Sequence, residues 1–505
     1  MNNILLHSFS QVKSQEITIS RIQQLMEAFH TDEFLLKSQI DKKKGISPSR
    51  ILFDLFLMVI QNNRSISEGM RDLQTQKHKS TIYEFLSNPN LDWRKFLLML
   101  AKYFSNQYKA DEKKDSYLII DDTPKKKSGT HGEYLSRFRD HANHVSYTGY
   151  EALFSAWSNG RTCIPVDFEL KIGQKRSKNS KRGKYKKGSH IKNRIKLAKM
   201  KKTDLSIIMI KRARKHKLLF NYILWDSWFN NSKAFKYVYE KLVPKDIHLI
   251  SMVKQSKDKY QLNNVEMRAN ELFELAGSWK TIESNKVKYK SIVIDIVDKT
   301  SRSKKNRPVI GKAKLCFFRF PKQKKGEYKI IMSTNINLSE EEILEKYSHR
   351  WSIEVMIKDL KQHLGFDQSM SSKYSSMVNN ISIRCAFYIM LCSMKDRGSR
   401  KSIYIVMFEV SNDIQNYCLE YFILNMFKRL TKELLEFSLQ KGLKYIKDLL
   451  EQLDIAVNSF LRSKGVSDKI VEIYNDDYTP TVLTYEITIC QDVLLKKELL
   501  LNNEL

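Results

Sequence analysis

Apolar residues recur three and four apart in "RIQQLMEAFH", "SRILFDLFLMVIQ" and "WRKFLLMLAKYF", so residues 1–112 are expected to form a helical domain. Within it, "SISEGMRDLQTQKHKSTIYEFL" reads either as two short helices around a DNA-reading turn or as part of a plain bundle. From 113 the rhythm becomes that of strands. "SYLIIDD", "YTGYEALFSAWS", "TCIPVDFEL", "NYILWDSWF" and "DIHLISMVK" are short apolar runs bounded by turn residues. The helix-like "TDLSIIMIKRARK" and "SKAFKYVYEKL" alternate with the later ones, which predicts a mixed α/β sheet over 113–255. Residues 256–336 read as a β-rich insertion, with strands in "KYKSIVIDIVDK", "KAKLCFFRF" and "YKIIMSTN". Helical periodicity returns at 337–395, and 396–505 is mainly helical.

The pattern is most informative in "YSHRWSIEVMIKDLKQHLGF", inside a helix expected from about Ser339 to Gly365. On one regular helix, Tyr347, Arg350, Glu354 and Lys361 fall at about 0°, −60°, −20° and −40°, a single polar stripe. Ile353, Met356, Ile357, Leu360 and Leu364 lie to one side, with Trp351 and Val355 on the other. The solvent side is expected near Ser352 and Asp359. Lys358, at about +20°, shares the striped face. A polar stripe between two apolar faces suits charged groups pointed at a site. The plainer alternative is an Arg350–Glu354 ion pair within the helix.

Charge changes the picture further. The 505 residues carry 88 Lys and Arg against 56 Asp and Glu, a net charge of +32, with 42% hydrophobic content, enough for real cores. Such a surplus attracts polyanions, nucleic acid before an anionic membrane surface. The apolar runs are too short to span a bilayer and the first residues do not resemble a signal peptide, so a cytoplasmic protein is expected. The six cysteines have no zinc-type spacing. Residues 175–202 hold fourteen Lys or Arg and no acid. They are expected to be a basic loop tracking phosphates, through residues such as Lys184, Lys186, Lys187 and Arg194, or else a solvated charge run.

Acids at the ends of predicted elements supply the chemistry. Asp121 and Asp122 end "YLII", Asp226 ends "NYILW", and Glu354 lies in the stripe. Carboxylates converging from separate elements give hard divalent ions the oxygen ligands they need. Two such ions can clamp the attacking and leaving oxygens of a phosphoryl displacement.

The spacing Tyr347, Arg350, Glu354, Lys361, with "IIDDTPKKKSG" and "ILWDSWF" upstream, resembles bacterial insertion-sequence transposases of the DDE class. The branch is the one with a Tyr-Arg-Glu-Lys signature, the insertion sequence four group. The resemblance spans roughly 113–395 and implies a ribonuclease H-like mixed-sheet catalytic core, interrupted by the β-rich insertion. It implies Asp122, Asp226 and Glu354 as catalytic ligands of two Mg²⁺ (or Mn²⁺) ions, Asp122 being preferred to Asp121 because it precedes Thr123. Tyr347, Arg350 and Lys361 would contact DNA. The implied partners are double-stranded DNA, as terminal inverted repeats and target, and a second subunit in the active complex, within the bacterial nucleoid. The alternatives are a ribonuclease H-like nuclease without strand transfer, and an inactive DNA-binding repressor derived from a transposase.

Overall fold

The computed structural model describes residues 18–42, 44–60, 79–108, 115–129, 131–140, 144–255, 259–300, 307–324, 326–368, 371–395, 402–407, 409, 410 and 455. The larger part of the expected DNA-reading segment, and nearly all of 396–505, lie outside them. The chain divides into two compact units, Phe29–Tyr404 and a second made of Met1–Ala28 with Ile405–Leu505. The second contributes α1 (Thr18–Ala28), with Ile22 and Met26 buried one turn apart.

The larger unit begins with α2 (Thr31–Lys37), α3 (Pro48–Ile60), α4 (Lys79–Ser87) and α5 (Trp93–Tyr108). The apolar spacing that predicted them becomes their buried faces, for example Trp93, Phe96, Leu97, Leu100 and Phe104 of α5. Strands β1 (Tyr117–Lys126), β2 (Ser136–Asp140), β3 (Val145–Ser158) and β4 (Cys163–Lys171) follow, then α6 (His190–Ala198), α7 (Lys202–Lys215), β5 (Tyr222–Trp225), α8 (Ser232–Lys241) and β6 (His248–Val253). β1 is antiparallel to β3, and β3 to β4, while β1–β5 and β5–β6 are parallel. The expected mixed sheet is therefore present.

The next segment contains β7 (Lys259–Leu262), β8 (Val265–Arg268), α9 (Ala269–Leu275), β9 (Lys280–Ile282), β10 (Val287–Val297), β11 (Val309–Arg319) and β12 (Lys329–Ser333). It is β-rich as expected but continues the same sheet: β12 pairs with β6 and β11 with β12, so one sheet runs β2-β3-β1-β5-β6-β12-β11-β10-β7-β8. Its own core joins Leu272, Ile294, Leu315, Phe317 and Met332 to Tyr239 of α8. Gly311 lets β11 pass that ring, since a Cβ there would lie 2.2 Å from it.

Three helices complete the unit: α10 (Glu340–Ser348), α11 (Trp351–Gln362) and α12 (Tyr374–Ser393). Ser339 caps α10, accepting from the Glu342 N–H at 3.2 Å, while Glu342 reaches back to the Ser339 N–H at 2.8 Å. The single helix expected over 339–365 is broken. Bonds of three-residue span, Arg350 to Tyr347 at 3.0 Å, Ser352 to His349 at 3.1 Å and Ile353 to Arg350 at 3.2 Å, tighten the backbone there. Gly365 ends the helical run with φ +65°, and the Phe366 N–H closes onto the Leu360 carbonyl at 2.9 Å. α12 ties the early helices to the sheet. Asn379 donates to the carbonyls of Leu86 and Asn88, Tyr374 to that of Leu170, and the Tyr108 hydroxyl to that of Ser393.

A buried ion network fastens β4 to three helices. Asp167 meets Arg94 at 3.0 Å and Arg212 at 2.5 Å, and Arg94 also binds Glu169. Arg194 donates to the Phe168 carbonyl at 2.9 Å, lies over the Phe168 ring and stands 3.8 Å from Glu169. Burial alone would raise the Asp167 carboxyl, but Arg94, Arg212 and Arg194 hold it at about 2. Because it is depressed in the fold, its contribution is complete above the ordinary aspartate value of 3.8 and is lost as pH falls toward 2. Arg94→Ala leaves buried carboxylates short of a partner and should cost about 3–5 kcal/mol in urea unfolding at pH 7. That cost should shrink as the same measurement is carried below pH 4. A loss under about 1 kcal/mol at pH 7 would exclude the network as a fastening.

Candidate functional site

The site is set by the register of β1 and β5. Tyr117 pairs with Tyr222 and Ile120 with Trp225, so Asp121 and Asp226 each follow the last pair of the two parallel strands. Neighbours in a sheet share a face, and Asp121 and Asp122, being consecutive, take opposite ones. Asp122, the preferred first acid, lies on the face opposite Asp121. Its carboxylate turns to Lys202 at 2.5 Å, and the same ammonium meets Glu151 at 2.9 Å. Burial and the Asp122 charge push Glu151 up to about 7.

Asp121 faces α11. Arg350 donates from Nη1 to Asp121 Oδ2 at 3.0 Å and from Nη2 to Glu354 Oε1 at 2.6 Å. The ion pair within the helix and the contact with the strand thus form together, one guanidinium bridging two acids. Burial pushes the Asp121 carboxyl up to about 7, against the pull of Arg350. Asp226 begins a short 3₁₀ turn, its side chain accepting from the Ser227 N–H and from Ser227 Oγ at 2.8 Å. It shares the electrostatic surroundings of Tyr347 with Arg350 and Asp121.

Tyr347 is buried at the end of α10, with the Arg350 guanidinium 5.9 Å from its ring centre. Among the described residues its hydroxyl makes no hydrogen bond, and burial pushes it up to about 12. Lys361 donates to the Pro124 carbonyl at 2.9 Å, and burial lowers its ammonium from the ordinary lysine range. Lys125, two residues from Thr123 on β1, is fully buried. It donates to the Phe366 carbonyl and lies 4.5 Å from the centre of that ring, and burial lowers it to about 7. Sequence reasoning passed over Lys125, whose signal was only its place in "DDTPKKK".

The exposed side of α11 differs from the expected one. Trp351 is 62% exposed, Val355 46%, and Lys358 is also exposed, whereas Asp359 packs under α12 and accepts from the Tyr388 hydroxyl at 3.2 Å. Arg194 is buried in the ion network. Lys184, Lys186 and Lys187 are exposed.

The donor chemistry of Asp121, Asp226 and Glu354 suits a hard divalent cation, all oxygen and all from rigid elements. As placed, no three described His, Cys, Asp or Glu residues form a ready metal cluster. Arg350 instead bridges Asp121 and Glu354.

Residues 48–260, which include Asp121 and Asp226, match the family model described as "DDE superfamily endonuclease". Residues 313–404, which include Tyr347, Arg350, Glu354 and Lys361, match the model described as "Archaeal putative transposase ISC1217". The matches support a DDE transposase, a nuclease-type enzyme acting on DNA, and do not single out the insertion sequence four branch. A search of curated proteins finds no match. No described helix is long and apolar enough to cross a membrane.

Lys125 clamps the end of α11 to β1, and its replacement separates packing from charge. Lys125→Ala should cost about 2–4 kcal/mol in urea unfolding and Lys125→Met less than half of that. Equal losses would show that the ammonium–carbonyl bond, not the stem, holds the clamp.

Proposed function

We propose that the protein is a DNA transposase of the DDE type, cutting the ends of a mobile element and joining them to target DNA through Asp121, Asp226 and Glu354. The observation that carries this reading is the Arg350 guanidinium linking Asp121, which follows the last pair of β1 with β5, to Glu354 of α11, with Asp226 following that pair on the other strand. The order β4-β3-β1-β5-β6, three antiparallel strands and then two parallel ones, is consistent with a ribonuclease H-like core.

Asp121, Asp226 and Glu354 would hold two Mg²⁺ or Mn²⁺ ions. When bound, these would activate the attacking oxygen and neutralise charge on the leaving one. The chain's own groups position the strand. Arg350 can exchange its carboxylate partners for a backbone phosphate, which a guanidinium grips with two hydrogen bonds. The unpaired Tyr347 hydroxyl offers a donor to the same strand, and Lys361 and Lys358 add charge along it. Burial around Tyr347 and Asp121 strengthens the contacts of Arg350 and Tyr347. Two ends must be brought together, so the active complex is taken to be at least a dimer.

The test uses a supercoiled plasmid carrying the gene with its flanking DNA, incubated with protein and Mg²⁺. Asp121→Asn and Glu354→Gln should each lower nicking at the element ends at least about a hundredfold while duplex binding persists. Asp122→Asn should stay within about tenfold of the natural protein. Loss with Asp122→Asn and retention with Asp121→Asn would refute the assignment of the first acid. Nicking that survives Glu354→Gln would refute the acid set. Pre-cleaved ends that are never joined to a second plasmid would favour the nuclease without strand transfer.

A further inference from the structure

We propose that the loop 172–189, together with β2, is a preorganised platform for the phosphate backbone of double-stranded DNA. The inference rests on the DNA-acting reading above and concerns residues outside the acid cluster.

The loop is basic and exposed at Lys175, Arg176, Lys178, Lys181 and Arg182, and again at Lys184, Lys186 and Lys187. β2 adds exposed Arg137 and Arg139, which share one face of the strand. The Arg137 N–H donates to the Lys175 carbonyl at 3.0 Å, bringing the two cationic segments side by side. Among the described residues, none of these cations has an acid within ion-pair distance.

Glu133, the acid next to the loop, is turned inward. Its Oε2 accepts from the Tyr185 hydroxyl and from the Tyr374 N–H at 2.9 Å, and Tyr185 Oη accepts from the Ser375 N–H at 3.2 Å. Tyr134 binds the loop twice, donating from N–H to Lys181 O and from its hydroxyl to Gly183 O, each at 2.9 Å. Gly183 makes this closeness possible, since a Cβ would come within 2.3 Å of the Tyr185 ring and 2.6 Å of the Glu133 carboxylate. The loop is thus anchored to the start of α12 before any ligand arrives, so little ordering entropy remains to oppose binding.

The same anchoring selects the ligand. Tyr134 and Tyr185 are engaged inward and Phe138 of β2 is stacked on Tyr147, so what the platform chiefly offers is charge. A duplex backbone is bound through charge alone, whereas a single strand needs aromatic surfaces for its bases. Tyr185 is a positioning residue here, acting through the loop it holds.

The experiment measures binding of full-length protein to a fluorescent random-sequence duplex of roughly 30 base pairs, in EDTA and over a salt series. Replacing Arg137 and Arg139 together by Ser should weaken binding about tenfold and flatten the slope of log K against log salt by about 1.8, near 0.9 for each contact. Tyr185→Phe should also weaken binding several-fold and speed tryptic cleavage within 175–187, with the far-ultraviolet circular dichroism unchanged. A single-stranded competitor should displace the duplex less well than unlabelled duplex does. Variants that keep the natural slope would overturn the platform and leave the acid-site reading standing. Better competition by the single strand would overturn the choice of ligand. A natural protein that does not bind duplex at all would overturn the DNA-acting reading and the platform with it.

Discussion

The pairing of Ile120 with Trp225 determines which side chains can meet at the acid end of the sheet. A slip of one residue would exchange the faces that Asp121 and Asp122 take. Several features oppose such a slip. Leu118, Ile119 and Ile120 are fully buried, as are Ile223, Leu224 and Trp225, so the slipped register would bring a carboxyl into that core. At the start of the strands the Asn221 N–H donates to Ser116 O at 2.8 Å, and Ser116 N–H donates to Asn221 Oδ1 at 3.2 Å. On the other side β3 pairs with β1 along ten successive residues. Asp121 is held where it is by the pairing of its strand as well as by Arg350.

With that register fixed, Arg350 resolves an electrostatic problem. Asp121 lies in a half-buried place that favours its neutral form, and Glu354 projects beside it from another element. The guanidinium binds both, which keeps the acids close without a metal. The intrahelical pair is worth tenths of a kcal/mol when exposed. Here it forms the helix side of a bridge to the sheet, and its significance lies in what it brings together. The break between α10 and α11 contributes as well, because the tightened turn carries Arg350 at the head of α11, next to the buried Tyr347.

These details mark how far the chain could be read without its structure. The strand ends, the acids on them and the helix bearing Glu354 were legible, because apolar runs and a capping Ser339 announce them. The face of each acid was not. "YLII" is buried on both sides, so no alternation of polar and apolar residues reveals which of Asp121 and Asp122 points inward. Trp351 and Val355 read as core for a similar reason: spacing around a helix cannot tell which apolar side a later helix covers. α12 covers the Asp359 side and leaves Trp351 outside. The β-rich segment showed its strands but not their partners, since pairing with β6 is a long-range choice that local pattern does not encode.

The basic run over 175–202 divides on the same principle. Sequence gives it one character, yet the structure gives its cations two. Arg194 faces inward from α6 and balances Glu169 and Asp167, where a charge without a partner would be costly. The residues before it are anchored by Tyr134 and Tyr185 and keep their charges in water. Acids follow the opposite course, since Asp167, Glu169 and Asp121 are all drawn in against arginines. Drawing these acids in against arginines leaves the exposed cations of the loop free to add to the surface field of a chain of net charge +32. A polyanion would be attracted by that field at long range, and at the Arg350 bridge it would meet the carboxylates of Asp121 and Glu354. Attraction and chemistry are then carried by different residues, each held by its own packing.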